Sequence, residues 1–421
     1  MKKKLCLFLF FCPFFCKALS LTDTIKYGLD YSIQLKISNA KKEKAEAILG
    51  EAYSSYWPQV SLVGKSKDEV KFAGSNYYRG DDESAMLTVA TQYTLIDLAR
   101  GEKVKAAKYN QDEEEWDRRA KIEKAKFDIT KSYLDIWKKK NEENVLESDY
   151  SSLSSLVNKV HARVDAGMSQ ESDMLRAKVA ADETRNKLDN VRKELGNAEI
   201  QLSSLTGLAL SKNDVYDVSN INITNIKITK RDIIKYSPAL KVLSTRVEQK
   251  RIEYNAIKKD DYPKVNAIAN YKEHFRNVVS PDMQFFVQVS MPLFNGFNST
   301  NKRKAAISEL EINKLTLSMA EKDLVKNYET LLNSFDRERK AWEMLKTNAV
   351  NSKKVKEQFY NEFPLGIKGI EDLITAERSE TDAELRLIDS QYNIYLYYLA
   401  IFHLNGNTDE AILNIGSSNV S

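Results

Sequence analysis

From Met174 onward, apolar and small side chains fall at Met174, Ala177, Ala181, Thr184, Leu188, Val191, Leu195, Ala198, Leu202 and Leu205, in alternating steps of three and four. A period of 3.5 residues is the seam of a coiled coil. The same rhythm returns about 199 residues later at Leu373, Ala376, Glu380, Ala383, Leu387, Ser390, Ile394, Tyr397, Ile401 and Leu404. A third seam, Leu146, Tyr150, Leu153, Val157, Val160 and Val164, runs before the first. The pattern predicts helices over 22–55, 100–165, 170–205, 230–260, 299–362 and 371–404. At 1.5 Å per residue, residues 100–165 alone would measure roughly 100 Å.

Between these helices the period changes to two. Leu87, Val89, Thr91, Tyr93 and Leu95 alternate with Met86, Thr88, Ala90, Gln92 and Thr94, and Met283, Phe285, Val287, Val289 and Met291 with Gln284, Phe286, Gln288, Ser290 and Pro292. One face is apolar and the other more polar, as in a strand between lipid and a polar lumen. Weaker partners near 58–72 and 263–276 complete two hairpins, closed by loops at about 73–83 and 277–282. Strands of about ten residues are long enough to cross a bilayer when tilted. Four cannot close a barrel, because about eight is the practical minimum, and open edges are costly in lipid. The chain is therefore expected to oligomerise, three copies supplying twelve strands. The contrasting reading is a solitary coiled coil, or a soluble protein with two surface hairpins.

The helices and strands repeat in order. Tyr31-Ser32 recurs as Tyr236-Ser237, Pro58 as Pro263, Leu95-Ile96-Asp97 as Leu293-Phe294-Asn295, Gly167 with Asp173 as Gly366 with Asp372, and Leu205-Thr206-Gly207 as Leu404-Asn405-Gly406. The offset stays between about 198 and 205 residues, which indicates a duplication. The expected division is a signal peptide at 1–18, a first repeat at 19–207, a linker at 208–228, a second repeat at 229–406 and a C-terminal tail at 407–421.

Composition narrows the class. Met1-Lys2-Lys3-Lys4, an apolar run from Leu5 to Phe15 and small residues up to Ala18 read as a secretory signal, cleaved after Ala18 or Ser20. Cys6, Cys12 and Cys16 all lie inside it, so the exported chain is expected to hold no disulfide and no cysteine-bound metal. Its removal takes four lysines and leaves 60 basic against 60 acidic residues, a balance that gives no argument for nucleic-acid binding. His161, His274 and His403 lack metal-ligand spacing, and neither a phosphate loop nor a nucleophile elbow is present. No enzyme, cofactor or metal is expected. Charged runs such as Asp112-Glu113-Glu114-Glu115 and Lys138-Lys139-Lys140 read as solvated helix faces.

Taken in order, Pro58 and Pro263, Leu95-Ile96-Asp97-Leu98-Ala99-Arg100 with Leu293-Phe294-Asn295-Gly296-Phe297, Asp165-Ala166-Gly167 leading to Asp173, and Gly366 leading to Asp372 resemble the TolC family of outer-membrane efflux and type I secretion channels. The resemblance covers residues about 21–406. It implies an α+β membrane protein: a long coiled-coil α-helical barrel in the periplasm and a transmembrane β-barrel built from four strands per chain. It also implies a homotrimer docked to a periplasmic adaptor and an inner-membrane transporter. By the same resemblance, Asp372 forms an acidic ring at the periplasmic constriction, Glu371 stands beside it, Lys368 occupies a gate arginine's place and Asp173 is an acidic partner. Three convergent carboxylates in a narrow neck would favour cations. An acid in a helix's first turn also stabilises the helix dipole, by about 0.3–1 kcal/mol. Phe363 stands in place of a tyrosine and Thr375 in place of a second ring aspartate. Gly167 and Gly366 suit the hairpin turns, where a positive φ is needed, and are also exposed adaptor contact points. A soluble periplasmic coiled-coil scaffold or adaptor is the alternative function.

Overall fold

The computed structural model describes residues 20–65, 86–215, 218, 226–274 and 282–416. The signal segment, most of both strand-connecting loops and part of the linker lie outside the described residues. The element order is α1 (Leu21–Tyr31), α2 (Ile33–Ser54), β1 (Gln59–Lys65), β2 (Met86–Ile96), α3 (Arg100–Asp165), α4 (Glu171–Thr206), α5 (Lys230–Tyr236), α6 (Pro238–Lys259), β3 (Lys264–His274), β4 (Asp282–Ser290), α7 (Asn298–Glu362), α8 (Ile370–Leu404) and α9 (Thr408–Gly416). Both repeats thus read helix pair, strand pair, long helical hairpin. Two compact units are present. One comprises the described parts of residues 1–35, 120–237 and 324–421, the other those of 36–119 and 238–323.

In the first unit the seams pack as their spacing predicts. Ala177, Ala181, Thr184, Leu188, Leu195 and Leu202 are buried on α4, as are Leu373, Ala376, Glu380, Ala383, Ser390, Ile394 and Ile401 on α8. Near the hairpin turns, Leu153, Leu156 and Val160 of α3 join Ala177, Ala180 and Ala181 of α4 and Ile370, Leu373 and Ile374 of α8 in one apolar cluster. A larger cluster holds Trp137 and Tyr395, whose rings meet edge to face at 5.8 Å, with Leu21 and Ile25 of α1. The segment expected as a tail contributes helix α9, whose Ala411, Ile412 and Ile415 are buried in that same cluster.

The helices expected over 22–55 and 230–260 are each broken, and at the same landmark. Ser32 and Ser237 leave the helical region at φ −56°, ψ 114° and φ −55°, ψ 118°. Pro238 disfavours helical geometry at Ser237. Ser32 instead offers its Oγ to the Leu35 amide at 3.4 Å, the bond of an N-cap. The repeated Tyr-Ser pair is therefore a helix break.

In the second unit the two strand pairs form one antiparallel sheet in the order β1-β2-β3-β4. The β2–β3 pairing joins the repeats, setting Thr88 opposite Lys272 and Val89 opposite Tyr271. The recurring Asp97 and Asn295 lie between the strands and the long helices that follow them. Asp97 Oδ1 accepts from Ala99 N at 2.9 Å, and Asn295 Oδ1 from Ser299 N at 3.4 Å. Asx side chains bonding backbone amides just ahead start a helix.

Candidate functional site

Two features of the fold bear on function: the turns of the α3/α4 and α7/α8 hairpins, and the sheet. Each hairpin turn is a Schellman motif. Gly167 donates to Val164 O at 2.9 Å and Met168 to Arg163 O at 2.7 Å; Gly366 donates to Phe363 O at 3.1 Å and Ile367 to Glu362 O at 3.3 Å. The glycines stand at φ 69° and 74°, the left-handed region that the motif requires. The turns leave Met168, Leu365 and Ile367 exposed.

The two aspartates begin the returning helices α4 and α8. Asp173 Oδ2 accepts from Gln170 N at 3.4 Å, and Asp372 Oδ2 from Gly369 N at 3.0 Å. Each carboxylate satisfies an amide that the helix start would leave orphaned. Glu371 turns instead toward α4, where Arg176 Nη1 lies 3.5 Å from its Oε2. Both partners are exposed, so the pair contributes at most about 1 kcal/mol. Lys368 Nζ sits 4.1 Å over the Phe359 ring. Phe363 is buried in the hairpin cluster with the Arg163 guanidinium 4.8 Å from its ring centre. Thr375 is exposed. Within one chain the structure therefore brings Glu371 to Arg176, whereas no hydrogen bond or ion pair among the described residues joins Lys368 to Asp173. Sequence reasoning missed Arg176, and also the exposed Arg378–Glu183 pair, 2.6 Å apart between α8 and α4. Alternation of acid and base across the two seams was the available signal.

The sheet has two faces of different chemistry, fixed by register. Residues opposite one another in antiparallel pairs share a face. Leu62 faces Val89, Val89 faces Tyr271 and Tyr271 faces Met283. The next row is Val60, Thr91, Ala269 and Phe285. The other face presents Ser61, Ala90, Asn270 and Gln284, and Gln59, Gln92, Ile268 and Phe286. On that face Thr94 Oγ1 donates to Asn266 Oδ1 at 2.9 Å. The apolar face is uncovered among the described residues: Val60 is 68% exposed, Phe285 73% and Val289 65%. The outer edges of β1 and β4 have no partner strand among the described residues.

Beyond β4 the chain reaches α7 through Gly296 at φ 63° and Phe297 at φ 67°. A bulky residue in the left-handed region is strained. Its ring is exposed and meets Phe294 edge to face at 5.8 Å. Trp57, just before β1, is likewise exposed. Among the described residues no group of acids, histidines or cysteines is placed to hold a metal ion, and no helix is long and apolar enough to cross a membrane.

The sequence model of the outer membrane efflux protein family matches residues 29–208 and 231–407. No curated protein matches the chain in sequence. Among solved structures, a membrane protein from Pseudomonas aeruginosa superposes with TM-score 0.83 at 14% identity, covering 91% of this chain and 92% of its own. The Vibrio cholerae outer membrane protein VceC gives 0.80 at 15% identity, over 92% and 96%. The Campylobacter jejuni CmeC outer membrane channel gives 0.79 at 15% identity, over 95% and 90%. These likenesses establish the fold.

Proposed function

Because the chain belongs to the outer membrane efflux protein family, we propose that it is one subunit of a passive exit duct, closed by three copies and driven by an inner-membrane pump reached through a periplasmic adaptor. The chain is an outer-membrane efflux channel protein that extends into the periplasm. The observation that carries the finer reading is the sheet. Four strands of 7 to 11 described residues present one continuous apolar face and leave two edges open. Each unpaired backbone group left in hydrocarbon costs several kcal/mol. Three copies edge to edge give twelve strands, more than the eight a barrel needs. The apolar face then meets lipid, and Gln92, Asn266, Asn270 and Gln284 line the lumen.

At the hairpin turns, the exposed Met168, Leu365 and Ile367 offer apolar anchors to the adaptor. Asp372, capped against its own helix start, is the carboxylate that three chains converge into a cation-selective ring, with Glu371, Lys368 and Asp173 around it. The duct carries small molecules or proteins, and the pump selects among them. A soluble scaffold would have no use for the apolar sheet face. Purified protein running as heat-resistant trimers and conducting in planar bilayers is the expected result, and detergent-independent monomers would refute the proposal. In such recordings Asp372→Asn should weaken block by multivalent cations. Unaltered block would remove Asp372 from the constriction.

A further inference from the structure

The α3/α4 and α7/α8 hairpins meet over buried charge, where a coiled-coil seam ordinarily carries hydrocarbon. Glu377, two turns into α8, is 0% exposed, and Glu380 is also buried. From α7, Lys356 Nζ reaches Glu377 Oε2 at 3.1 Å and also pairs with Glu380. The Tyr360 hydroxyl donates to Glu377 Oε1 at 2.6 Å. Across the contact, Asp149 of α3 is 6% exposed and accepts from Thr184 Oγ1 of α4 at 3.1 Å through Oδ2. Its Oδ1 is buried without a second hydrogen bond of good geometry, and the Thr381 hydroxyl of α8 is the other polar group acting on this carboxyl.

The charges do not balance. Of four carboxylates, on Asp149, Glu377, Glu380 and the half-buried Glu384, only Glu377 and Glu380 touch an ammonium, that of Lys356. Lys187 of α4 and Lys353 of α7 are exposed and act on Asp149 and Glu384 only at a distance. A buried carboxylate without a full set of partners is costly to keep ionised and relieves that cost by binding a proton. Ser151, Ser155, Tyr360 and Glu377 line a cleft of about 580 Å³ together with Glu357 of α7 and the exposed Lys159 of α3, whose Nζ lies 5.8 Å from the Tyr360 ring centre, and the cleft gives water a route to the cluster.

We propose that this cluster is a proton-binding site, in which a proton held by Asp149 keeps the two hairpins packed and its loss loosens them. The electrostatics run in the same sense. Burial pushes the Asp149, Glu377 and Glu384 carboxyls above the usual carboxylate range, with the charge of Asp149 adding to the rise at Glu377 and that of Glu380 at Glu384. Burial pulls the Lys356 ammonium down, but Glu380 and Glu377 outweigh it and keep the group above its ordinary value. Burial, with Glu377, drives the Tyr360 phenol up, so it remains a donor. Groups raised on folding contribute stability fully below their unfolded pKa and lose it as pH rises through the folded one. The contact is therefore tightest in acid.

The test uses the full chain in lipid nanodiscs with spin labels at the exposed positions Asp182 on α4 and Ser379 on α8. As pH is raised from acid to alkaline, the wild-type distance distribution should broaden as protons leave. Asp149→Asn, neutral at every pH, should stay narrow throughout. Glu384→Gln, at a half-exposed position that tolerates amide, removes a neighbouring negative charge and should move the midpoint about half a unit toward acid. Difference infrared spectra should show a protonated carboxyl signal that disappears over the same range and is weaker in the asparagine variant. A wild-type distribution independent of pH, or an Asp149→Asn or Glu384→Gln chain titrating like wild type, overturns the proposal. None of these readouts depends on transport, so they stand apart from the exit-duct reading.

Discussion

Replacing Gly366 and Gly207 by alanine separates two costs that usually arrive together. The glycines have nearly the same backbone, φ 74° and 71°. Any L residue in that region carries about 1–2 kcal/mol of steric cost. At Gly366 an added Cβ meets nothing within 4 Å, so that cost is the whole effect. At Gly207 the Cβ would lie 2.5 Å from Tyr31 Cδ2 and 2.7 Å from Cε2. Overpacking of this kind adds about 1–3 kcal/mol. Tyr31 is half exposed, so its ring can swing aside and hold the addition near the lower end. The expected totals are about 1–2 kcal/mol for Gly366→Ala and about 2–3 kcal/mol for Gly207→Ala. Hydrogen exchange in the assembled protein reads both. The first variant should lower protection roughly five- to thirtyfold at the Gly366 and Ile367 amides alone. The second should lower it by roughly thirty- to a hundredfold along α1 and the end of α4. Equal losses would refute the steric argument, and an unaffected Gly366→Ala turn would refute the backbone one.

Two further substitutions probe the sheet and its exit. Phe285→Lys on the apolar face should cost about 2–4 kcal/mol in lipid and suppress trimers in outer-membrane fractions, whereas Gln284→Lys on the facing-away side should assemble normally. Equal behaviour of the two would mean that the faces are not divided between lipid and lumen. Phe297→Gly should relieve the strained φ of 67° and slow unfolding in urea by roughly fivefold, provided that glycine's extra freedom in the unfolded chain is smaller than the strain removed. Faster unfolding would show that the exposed ring contributes more to the membrane-bound state than its backbone costs.

The features legible in the sequence were those written at short range. A seam such as Ala177, Ala181, Thr184 and Leu188 states its period within a few turns, and the alternation through Leu87–Leu95 states a strand and its faces. Gly167 and Gly366 announced their turns because few other residues accept a positive φ. The break at Ser32 was hidden because no proline follows it, unlike Ser237. The pairing of β2 with β3 joins residues such as Val89 and Tyr271, far apart in the chain, and no local pattern encodes it. The buried cluster left one trace, an acid at seam position Glu380. Its partners Lys356, Tyr360 and Asp149 come from two other helices, and their meeting depends on how the hairpins pack. Asp173 and Asp372 lie in the first turns of α4 and α8, where each satisfies a backbone amide.

The bare margins of β1 and β4 bear on inheritance as well as on architecture. If closure requires identical neighbours, a subunit able to dock but unable to complete the wall spoils every ring it enters. In a cell carrying equal amounts of sound and faulty copies, wholly sound rings would be a small minority. Such an allele would therefore act dominantly, while a simple deletion of the same gene would be masked by an intact copy.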